Sequence, residues 1–338
     1  MKTEEIGEFG LIDLILETGA KKDCVQKGIG DDCAVLKKND TEFTLLSCDL
    51  LTEGVHFLRN EITPEDLGYK AVAVNLSDIA AMGGNPETIL ISVAMPKNIP
   101  VEGWKRFYKG VDEICKEFEV ALIGGDTTGS EGSLTVNVTV TGTVEQDRIH
   151  YRSDAKPGDV LFVTGPLGGS RAGLEILLNK EILSSKEERE YLMQKHYRPV
   201  PRCKEVRVLD RLCGNRLHAL NDISDGLSSE SREIAEASHV KLVLDKSRIP
   251  VDSGALKLSE ENGRDAFLWA LTGGEDFELL GTMDFDSSKE IQKAYEEETG
   301  KKLYMIGYVE EGEGVFLKDS EKTEALRSDG FNHFTEKK

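Results

Sequence analysis

TPEDLGYKAVAVNLSDIAAMGG, residues 63–84, carries the signals of one complete helix. Thr63 is a good N-cap, and a proline followed by two acidic residues is typical of a first helical turn. The pair Gly83-Gly84 is a typical helix end. The sequence therefore predicts a helix from Pro64 to about Met82. Its apolar face, at i, i+4 and i+7 spacing, comprises Leu67, Ala71, Val74, Asp78 and Ala81.

Asp78 is the polar member of that apolar face. It also lies near the C-terminal end of the predicted helix, where the helix dipole disfavours a negative charge. A buried carboxylate without a partner costs several kcal/mol of folding free energy. Two interpretations stay open: a structural salt bridge or capping contact to another segment, and a metal ligand held rigidly by a buried helix.

The rest of the first half predicts strands and one more helix. The run SLTVNVTVTGTV alternates strictly, with Leu134 and the three following valines on one face and polar residues on the other. The predicted strands cover residues 43–49, 88–95 and 133–144, and the predicted helix covers residues 101–118.

The segment EQDRIHYRSDAKPG, around residues 145–158, is polar and rich in turn formers. The chain has 338 residues, more than one core usually serves, which favours two domains. We place the boundary here, with domains of residues 1–148 and 149–338. Strands are then predicted at 159–164, 241–245 and 277–283, and helices at 170–178, 186–194 and near 228–238. This mixed order predicts an α+β or mixed α/β fold.

The chain carries a formal net charge of −20 at pH 7. This balance argues against non-specific nucleic-acid binding, which depends on basic patches. No apolar run approaches the ~20 residues of a membrane helix, and the acidic start MKTEEIGEFG lacks a signal-peptide pattern. Six cysteines without a C-x-x-C pair fit a reducing compartment. We therefore predict a cytoplasmic protein with no nucleic-acid or membrane partner.

Six short segments place a carboxylate beside glycine or another small residue, mostly at the predicted ends of regular elements. They are Gly30-Asp31-Asp32, Ser47-Cys48-Asp49, Ser77-Asp78, Gly124-Gly125-Asp126-Thr127-Thr128, Asp222-Ile223-Ser224-Asp225-Gly226 and Gly273-Gly274-Glu275-Asp276. Any one of them is explained as a turn. Six in one chain indicate more, because Mg²⁺ takes oxygen ligands and carboxylates from separate loops would make a suitable cage.

Three glycine-containing segments are candidates for phosphate contacts. GGDTT, residues 124–128, follows an apolar run, and is either a phosphate and metal site or a plain strand-to-turn transition. DISDGL, residues 222–227, precedes a predicted helix, so that a phosphate could dock at the helix start, or Ser224 or Asp225 could be an N-cap. GPLGGS, residues 165–170, lacks the Gly-Lys-Ser/Thr of a Walker loop.

No grouping of side chains favours nucleophilic catalysis. His56 is the histidine nearest the acidic motifs in sequence, and a lone histidine is more often packed or on the surface. A phosphate monoester acceptor needs no base, since its second pKa near ~6 leaves it mostly dianionic at pH 7. The obstacle is then repulsion between anions, which metals and cations must offset. Arg152 is either a cation for nucleotide phosphates or a surface arginine.

Seven motifs resemble those of one family, in the same order and spacing. They are GIGDDCAVL (28–36), SCDLLTEGVHF (47–57), KAVAVNLSDIAAMGG (70–84), GGDTT (124–128), KPGD (156–159), DISDGL (222–227) and GGEDFELL (273–280). They are similar to segments of bacterial thiamine-monophosphate kinases, in the superfamily of aminoimidazole ribonucleotide synthase. The terminal GFNHF (330–334) extends the likeness over essentially the whole chain.

The resemblance implies a PurM-like fold of two α+β domains. The N-terminal strands would form a β-barrel with a second subunit in a homodimer, and the C-terminal domain would be mixed α/β. It implies direct in-line transfer of the γ-phosphoryl group of ATP, as co-substrate, to thiamine monophosphate, with several Mg²⁺ ions and no catalytic general base. The implied metal ligands are Asp32, Ser47, Cys48, Asp49, Asp78, Asp126, Asp222 and Asp225. The implied ATP contacts are Gly125, Asp126, Arg152, Ser224 and Tyr108, and the implied acceptor contacts are His56, Glu275 and Phe331.

Cys48 departs from the family pattern, which commonly has threonine there. If that hydroxyl normally binds metal, a backbone carbonyl would have to replace it here. Alternatively, Cys48 is an ordinary buried strand residue. Two other functions stay open: an ATP-dependent enzyme of the same superfamily with a different acceptor, and a non-catalytic protein of this fold that binds Mg-ATP.

Overall fold

The computed structural model describes residues 14–15 and 22–326. Six strands of the first half form one sheet, in the spatial order β1-β2-β3-β6-β4-β5. All neighbours are antiparallel except β4 and β5. The sheet is open, with β1 and β5 at its edges, so the described part of one chain closes no barrel. The bounds are β1 Val25–Lys27, β2 Ala34–Lys37, β3 Glu42–Thr52, β4 Asn85–Pro96, β5 Ala121–Ser130 and β6 Thr135–Glu145.

Two helices cover one face of this sheet, α1 (Pro64–Ala81) and α2 (Val101–Glu117). The helix signals are confirmed, because the Thr63 hydroxyl caps the Asp66 amide at 3.1 Å and helix α1 ends just before the glycine pair. Helix α1 packs on the central strands, and α2 packs on α1. The two helices approach closely at glycines. A Cβ at Gly68 would lie 2.1 Å from the carbonyl oxygen of Phe107.

The GGDTT segment lies inside strand β5, so its interpretation as a strand-to-turn transition is wrong. Its glycines are required by the ladder with β4. A Cβ on Gly125 would lie 1.8 Å from the carbonyl oxygen of Ile91, its partner in the neighbouring strand. Likewise β3 continues to Thr52, so Asp49 is an interior strand residue and does not end the element.

The second half contains a seven-stranded sheet in the order β13-β12-β9-β11-β7-β10-β8, in which only β9 and β12 pair in parallel. Its strands are β7 Val160–Val163, β8 Leu217–Asp222, β9 Lys241–Asp245, β10 Leu279–Met283, β11 Tyr304–Glu310, β12 Gly314–Asp319 and β13 Lys322–Ala325. Its helices are α3 Gly169–Leu178, α4 Lys186–Tyr197, α5 Cys203–Cys213, α6 Leu227–Ser238, α7 Ser253–Asn262, α8 Ala266–Thr272 and α9 Ser288–Thr299.

The two halves meet along helix α1. This helix packs against β8 and α5 of the second half, and one buried apolar cluster continues from α1 into both elements. As a result, nearly every residue of α1 is buried, which places its polar side chains between the two sheets. No helix among the described residues is both long and apolar enough to span a bilayer.

Candidate metal and phosphate site

Three carboxylates from separate parts of the chain converge between the two halves. Asp32 lies in the turn between β1 and β2, Asp78 lies near the end of α1, and Asp222 ends β8. One carboxylate oxygen of each lies within 4.8 Å of the others. We call these three residues the carboxylate cluster.

Two serine hydroxyls hold the cluster in place. The Ser47 hydroxyl donates to Oδ2 of Asp78 at 2.5 Å, and the Ser77 hydroxyl donates to Oδ2 of Asp222 at 2.5 Å. The second bond crosses between the halves, because Ser77 belongs to α1. Asp49 is fixed beside them through its backbone, since its amide donates to the buried side chain of Asn75 at 2.9 Å.

The electrostatics of the cluster favour a positive partner. Burial raises the pKa of Asp78, and the nearby charges of Asp49 and Asp222 raise it further. Burial and the charge of Asp32 raise the pKa of Asp49 to about 6. Burial also raises the pKa of Asp222. Ionised carboxylates this close repel one another unless a cation lies between them.

Arg152 is part of this site, so its interpretation as a surface arginine is wrong. Its Nη2 donates to Oδ1 of Asp32 at 2.5 Å, and its Nε donates to Oδ1 of Asn221 at 3.1 Å. Its Nη1 lies 2.9 Å from Oε2 of Glu233. Burial disfavours the charged guanidinium, but the carboxylates of Asp32 and Glu233 more than offset this and raise the pKa of Arg152.

The DISDGL segment is organised by Glu230, a buried residue of helix α6. Its Oε1 accepts hydrogen bonds from the hydroxyl of Ser224 at 3.3 Å and from the amide of Asp225 at 2.9 Å. Gly226 occupies the N-cap position. The interpretation of Ser224 or Asp225 as the N-cap is therefore wrong, and both residues lie in the turn that precedes the helix.

The predicted acceptor residues His56 and Glu275 share one neighbour, the buried Lys70 of helix α1. Lys70 Nζ lies 2.9 Å from Oε1 of Glu275 and donates to the carbonyl oxygen of His56 at 3.2 Å. The amide of Thr52 donates to Nδ1 of His56 at 3.0 Å. In the neutral imidazole the proton therefore lies on Nε2, which is a donor. Phe331 lies outside the described residues.

GPLGGS forms a loop around a carboxylate of the same chain. Oδ2 of Asp276 accepts a hydrogen bond from the amide of Gly168 at 2.6 Å, and Oδ1 accepts one from the amide of Ser170 at 3.2 Å. Both amides lie at the start of helix α3, where an anion is favoured. This loop is already occupied by a carboxyl group of the same chain.

Three predicted residues lie away from the carboxylate cluster. Gly125 and Asp126 are exposed on edge strand β5, which β6 and β4 separate from Asp49 on β3. At ~4.8 Å per strand, this separation is about 14 Å. Tyr108 of α2 and Leu122 of β5 line one groove of about 560 Å³. The structure therefore brings Tyr108 near β5 and leaves Gly125 and Asp126 three strands from Asp49.

The side chain of Cys48 is exposed, so its interpretation as a buried strand residue is wrong. Side chains alternate along β3, and Ser47 turns towards α1 to reach Asp78. Cys48 therefore presents its thiol to the other face of the sheet. Its backbone carbonyl is the remaining group that could serve the cluster.

Several residues that contact the predicted site residues are not identified by the sequence analysis. Three of them lie on helix α1: Lys70, Asn75 and Ser77. A polar residue on a buried helix needs a partner, and this need is the signal that the sequence offers. Asn221 and Glu230 flank DISDGL. His196, whose Nδ1 lies 3.2 Å from Glu275, carries no motif that could have identified it.

Comparisons with known proteins match this arrangement. A family model of AIR synthase related proteins matches residues 30–144 with its N-terminal domain and residues 156–320 with its C-terminal domain. The chain is 41% identical to the thiamine-monophosphate kinase of Bacillus subtilis (strain 168), covering 97% of this chain and 99% of that protein. It is 39% identical to that of Aquifex aeolicus (strain VF5), over 99% and 100% of the two chains. A solved structure of AaThiL complexed with AMPPCP and TMP has a TM-score of 0.84 and 37% identity, covering 98% of this chain and 99% of that one.

Proposed function

This chain belongs to the thiamine-monophosphate kinase family, and we propose that it transfers the γ-phosphoryl group of ATP to thiamine monophosphate at the carboxylate cluster. The observation that carries the proposal is the convergence of Asp32, Asp78 and Asp222 within 4.8 Å. The related AaThiL was solved with AMPPCP, an ATP analogue, together with TMP. That pairing of a nucleotide with an acceptor supports ATP as co-substrate here.

The residues of the cluster fit Mg²⁺. They offer hard oxygen donors from a turn, a helix and a strand end, and the buried Oδ2 of Asp32 has no hydrogen-bond partner within the part of the chain that the structure describes. When bound, Mg²⁺ neutralises charge on the phosphates. We propose Asp32, Asp78 and Asp222 as its main ligands. Further proposed ligands are Ser47, Asp49, Asp225, Asp126 and the backbone carbonyl of Cys48.

Arg152 and Ser224 are the proposed ATP contacts on this side of the sheet. Arg152 already faces the cluster, so its guanidinium can move between Asp32 and a phosphate oxygen. The Ser224 hydroxyl is presented at the start of helix α6, where amides and the helix dipole favour phosphate. These groups bind and align the nucleotide, and no step requires a proton to be taken from the acceptor.

His56 and Glu275 are the proposed acceptor contacts, with Phe331 as a third from outside the described residues. The Nε2–H tautomer of His56 can donate to a phosphate oxygen. The acceptor phosphate is a dianion at neutral pH and attacks in line without a general base. The site must therefore hold two anions close together. Carboxylates that bind Mg²⁺ serve this purpose, and no histidine is needed as a base.

We further propose a homodimer in which a second copy supplies Tyr108, Gly125 and Asp126. Gly125 and Asp126 lie on β5, about 14 Å from Asp49 across the strands between β3 and β5, and Tyr108 lines a groove with Leu122 of the same strand. Every residue of β5 from 121 to 129 is exposed, including the apolar Leu122 and Ile123. An unpaired, partly apolar edge strand is suited to pairing with another chain. The β-barrel between subunits is part of this proposal.

The division into residues 1–148 and 149–338 and the cytoplasmic location are proposals as well. One sheet lies on each side of the proposed boundary. All six cysteines are free, which supports a reducing compartment. The net charge of −20 supports the absence of a nucleic-acid partner, and no membrane partner is proposed.

The test is a discontinuous assay with purified protein, ATP, Mg²⁺ and thiamine monophosphate, in which chromatography separates the thiamine species and the nucleotides. We expect thiamine diphosphate to appear in step with ADP and only when Mg²⁺ is present. A folded protein that binds Mg-ATP but forms no thiamine diphosphate would contradict the proposed acceptor, and would leave a different acceptor or a binding role.

A further inference from the structure

Lys70 is a fully buried lysine of helix α1 that joins the two halves of the chain. Its ammonium lies 2.9 and 3.0 Å from the two carboxylate oxygens of Glu275, which belongs to the second half. It also donates to the carbonyl oxygen of His56 in the first half, at 3.2 Å. Burying a charge is costly unless it is paired and hydrogen-bonded, so this geometry is a built arrangement of three residues.

The backbone around Glu275 is also fixed by close contacts. Glu275 has a φ of 67°, uncommon for a residue other than glycine. Its amide donates to the carbonyl oxygen of Ser224 at 2.7 Å. A Cβ on the preceding Gly274 would lie 2.6 Å from that same oxygen, so the two loops are in close contact. The backbone of Glu275 is therefore fixed by the DISDGL turn, while its side chain is fixed by Lys70.

His196 contacts the same carboxylate but does not supply its charge balance. Nδ1 of His196 lies 3.2 Å from Oε2 of Glu275 and 3.1 Å from the hydroxyl of Ser170. Burial and the charge of Lys70 lower the pKa of His196 to about 4, so this ring is neutral at pH 7. Burial disfavours ionised Glu275, but the charge of Lys70 is the largest of the effects that oppose burial and lower the pKa of Glu275. The ion pair is therefore between Lys70 and Glu275.

We propose that Lys70 is a positioning residue for the acceptor, which fixes the separation of His56 and Glu275 across the boundary between the halves. This inference rests on the proposed function. Lys70 has no exposed surface, so it acts through these two residues and does not touch the substrate. Its contacts do not include Arg152 or the carboxylate cluster. Its removal therefore weakens use of thiamine monophosphate and spares use of ATP.

The experiment compares steady-state kinetics of the full-length enzyme and Lys70→Met, which keeps the length of the side chain and removes its charge. We expect the KM for thiamine monophosphate to rise about tenfold or more, with the KM for ATP changed less than about twofold. The matched control is Tyr197→Phe. The Tyr197 hydroxyl also joins the halves, through the carbonyl oxygen of Glu61 at 3.1 Å, without contacting His56 or Glu275. For this control, both KM values should change less than about twofold.

Lys70→Met leaves the carboxylate of Glu275 unpaired. If this prevents the variant from folding, a second variant provides the test. The double variant Lys70→Met/Glu275→Gln removes both charges and is compared with Glu275→Gln alone. We expect the two KM values for thiamine monophosphate to agree within about threefold, because residues that act as one unit have non-additive effects.

Three outcomes would overturn the inference. The first is an unchanged KM for thiamine monophosphate in folded Lys70→Met, and the second is an equal rise of both KM values, which would indicate a general structural role. In either case wild-type turnover leaves the proposed function standing. The third is a wild-type enzyme that does not phosphorylate thiamine monophosphate, which overturns the function and the inference together.

Discussion

The guanidinium of Arg152 donates to Oδ1 of Asp32 at 2.5 Å, in a site where three aspartates converge. The same guanidinium reaches Asn221 and Glu233 through its other nitrogens. A side chain so placed compensates the negative charge of the cluster from within the chain. In the proposed function, the phosphates of the nucleotide compete with Asp32 for this guanidinium.

We expect Arg152→Ala to weaken ATP binding by about 10- to 100-fold and to affect thiamine monophosphate much less, since a charge-assisted contact to phosphate is lost. Without Mg²⁺, the variant should lose roughly 3–5 kcal/mol of unfolding free energy, because Asp32 is left buried and unpaired. Added Mg²⁺ should restore part of this loss. Isothermal titration calorimetry and urea unfolding measure the two effects.

Two controls sharpen this prediction. Arg148→Ala removes a more exposed ion pair, to Asp210, and should leave ATP affinity unchanged. Arg152→Lys should not rescue, because one ammonium cannot make the three separate contacts of the guanidinium. Wild-type ATP affinity in folded Arg152→Ala would remove Arg152 from the nucleotide site.

The second prediction concerns the distance between Asp78 and Asp126 within one chain. Asp78→Asn and Asp126→Asn should each lower kcat by about 100-fold or more while the protein stays folded. When the two variants are co-expressed with different tags, the mixed dimer has one site that keeps both aspartates. An equal mixture should therefore recover about a quarter of wild-type activity, because half of its dimers are mixed and each has one intact site.

This result depends on the site being shared between subunits. If Asp126 served the cluster of its own chain, both sites of a mixed dimer would carry one substitution, and no activity would return. Purified mixed dimers that remain inactive would thus contradict the proposed exchange of residues, whereas normal turnover of either single variant would contradict the role of that aspartate.

The third prediction is that the thiol of Cys48 does not bind metal. Because the side chain is exposed on the face of β3 away from Asp78, Cys48→Ala should change the Mg²⁺ concentration for half-maximal rate by less than about threefold. Cys48→Thr, which introduces the residue that the family resemblance leads us to expect here, should behave in the same way. A large rise in the Mg²⁺ concentration for half-maximal rate, in the alanine variant alone, would show that the sulfur reaches the ion.

The fourth prediction concerns pH and stability. Burial raises the pKa of Asp276 to about 7, although the amides of Gly168 and Ser170 oppose this rise. Between its ordinary value near 4 and about 7, the folded protein holds a proton that the unfolded chain has released. Asp276 therefore lowers the unfolding free energy as pH rises through this window, by at most ~1.4 kcal/mol per unit, with no further effect above it.

Urea unfolding of the wild type and Asp276→Asn, between pH about 5 and 8, measures this contribution as the difference between the two. The advantage of the wild type over the variant should shrink up to pH about 7 and then stay constant. A difference that stays flat across the range, or grows with pH, would mean that Asp276 is ionised throughout.

Local signals predicted what is local in this fold. Thr63 and the glycine pair after Met82 set the bounds of α1, and its periodicity placed Asp78 on a buried face. By contrast, Ser77 and Asp222 are hydrogen-bonded although they are 145 residues apart, and neither local sequence predicts this contact. The strand-to-turn interpretation of GGDTT is wrong because glycine usually interrupts a strand, whereas here the close approach of β4 requires it.

The family resemblance indicates site residues from distant parts of the sequence that spacing alone does not relate to one another. It does not indicate which of these residues are in contact. Arg152 and Asp32 contact each other directly, whereas Asp126 lies on edge strand β5 and Tyr108 lines a groove with Leu122 of that strand. Lys70 lies in the motif KAVAVNLSDIAAMGG, where no local pattern assigns it a role. Its partners, His56 and Glu275, come from separate halves, so only the folded chain reveals the pairing.

The carboxyl group of Asp276 fills the loop after β7. Its carboxylate takes the amides that a free inorganic phosphate would otherwise seek. An enzyme that works among ATP, ADP and phosphorylated vitamins meets many such anions in the cell. Because a carboxyl group of the same chain occupies this loop, its amides are not free to bind such an anion, and the proposed phosphate contacts all lie elsewhere.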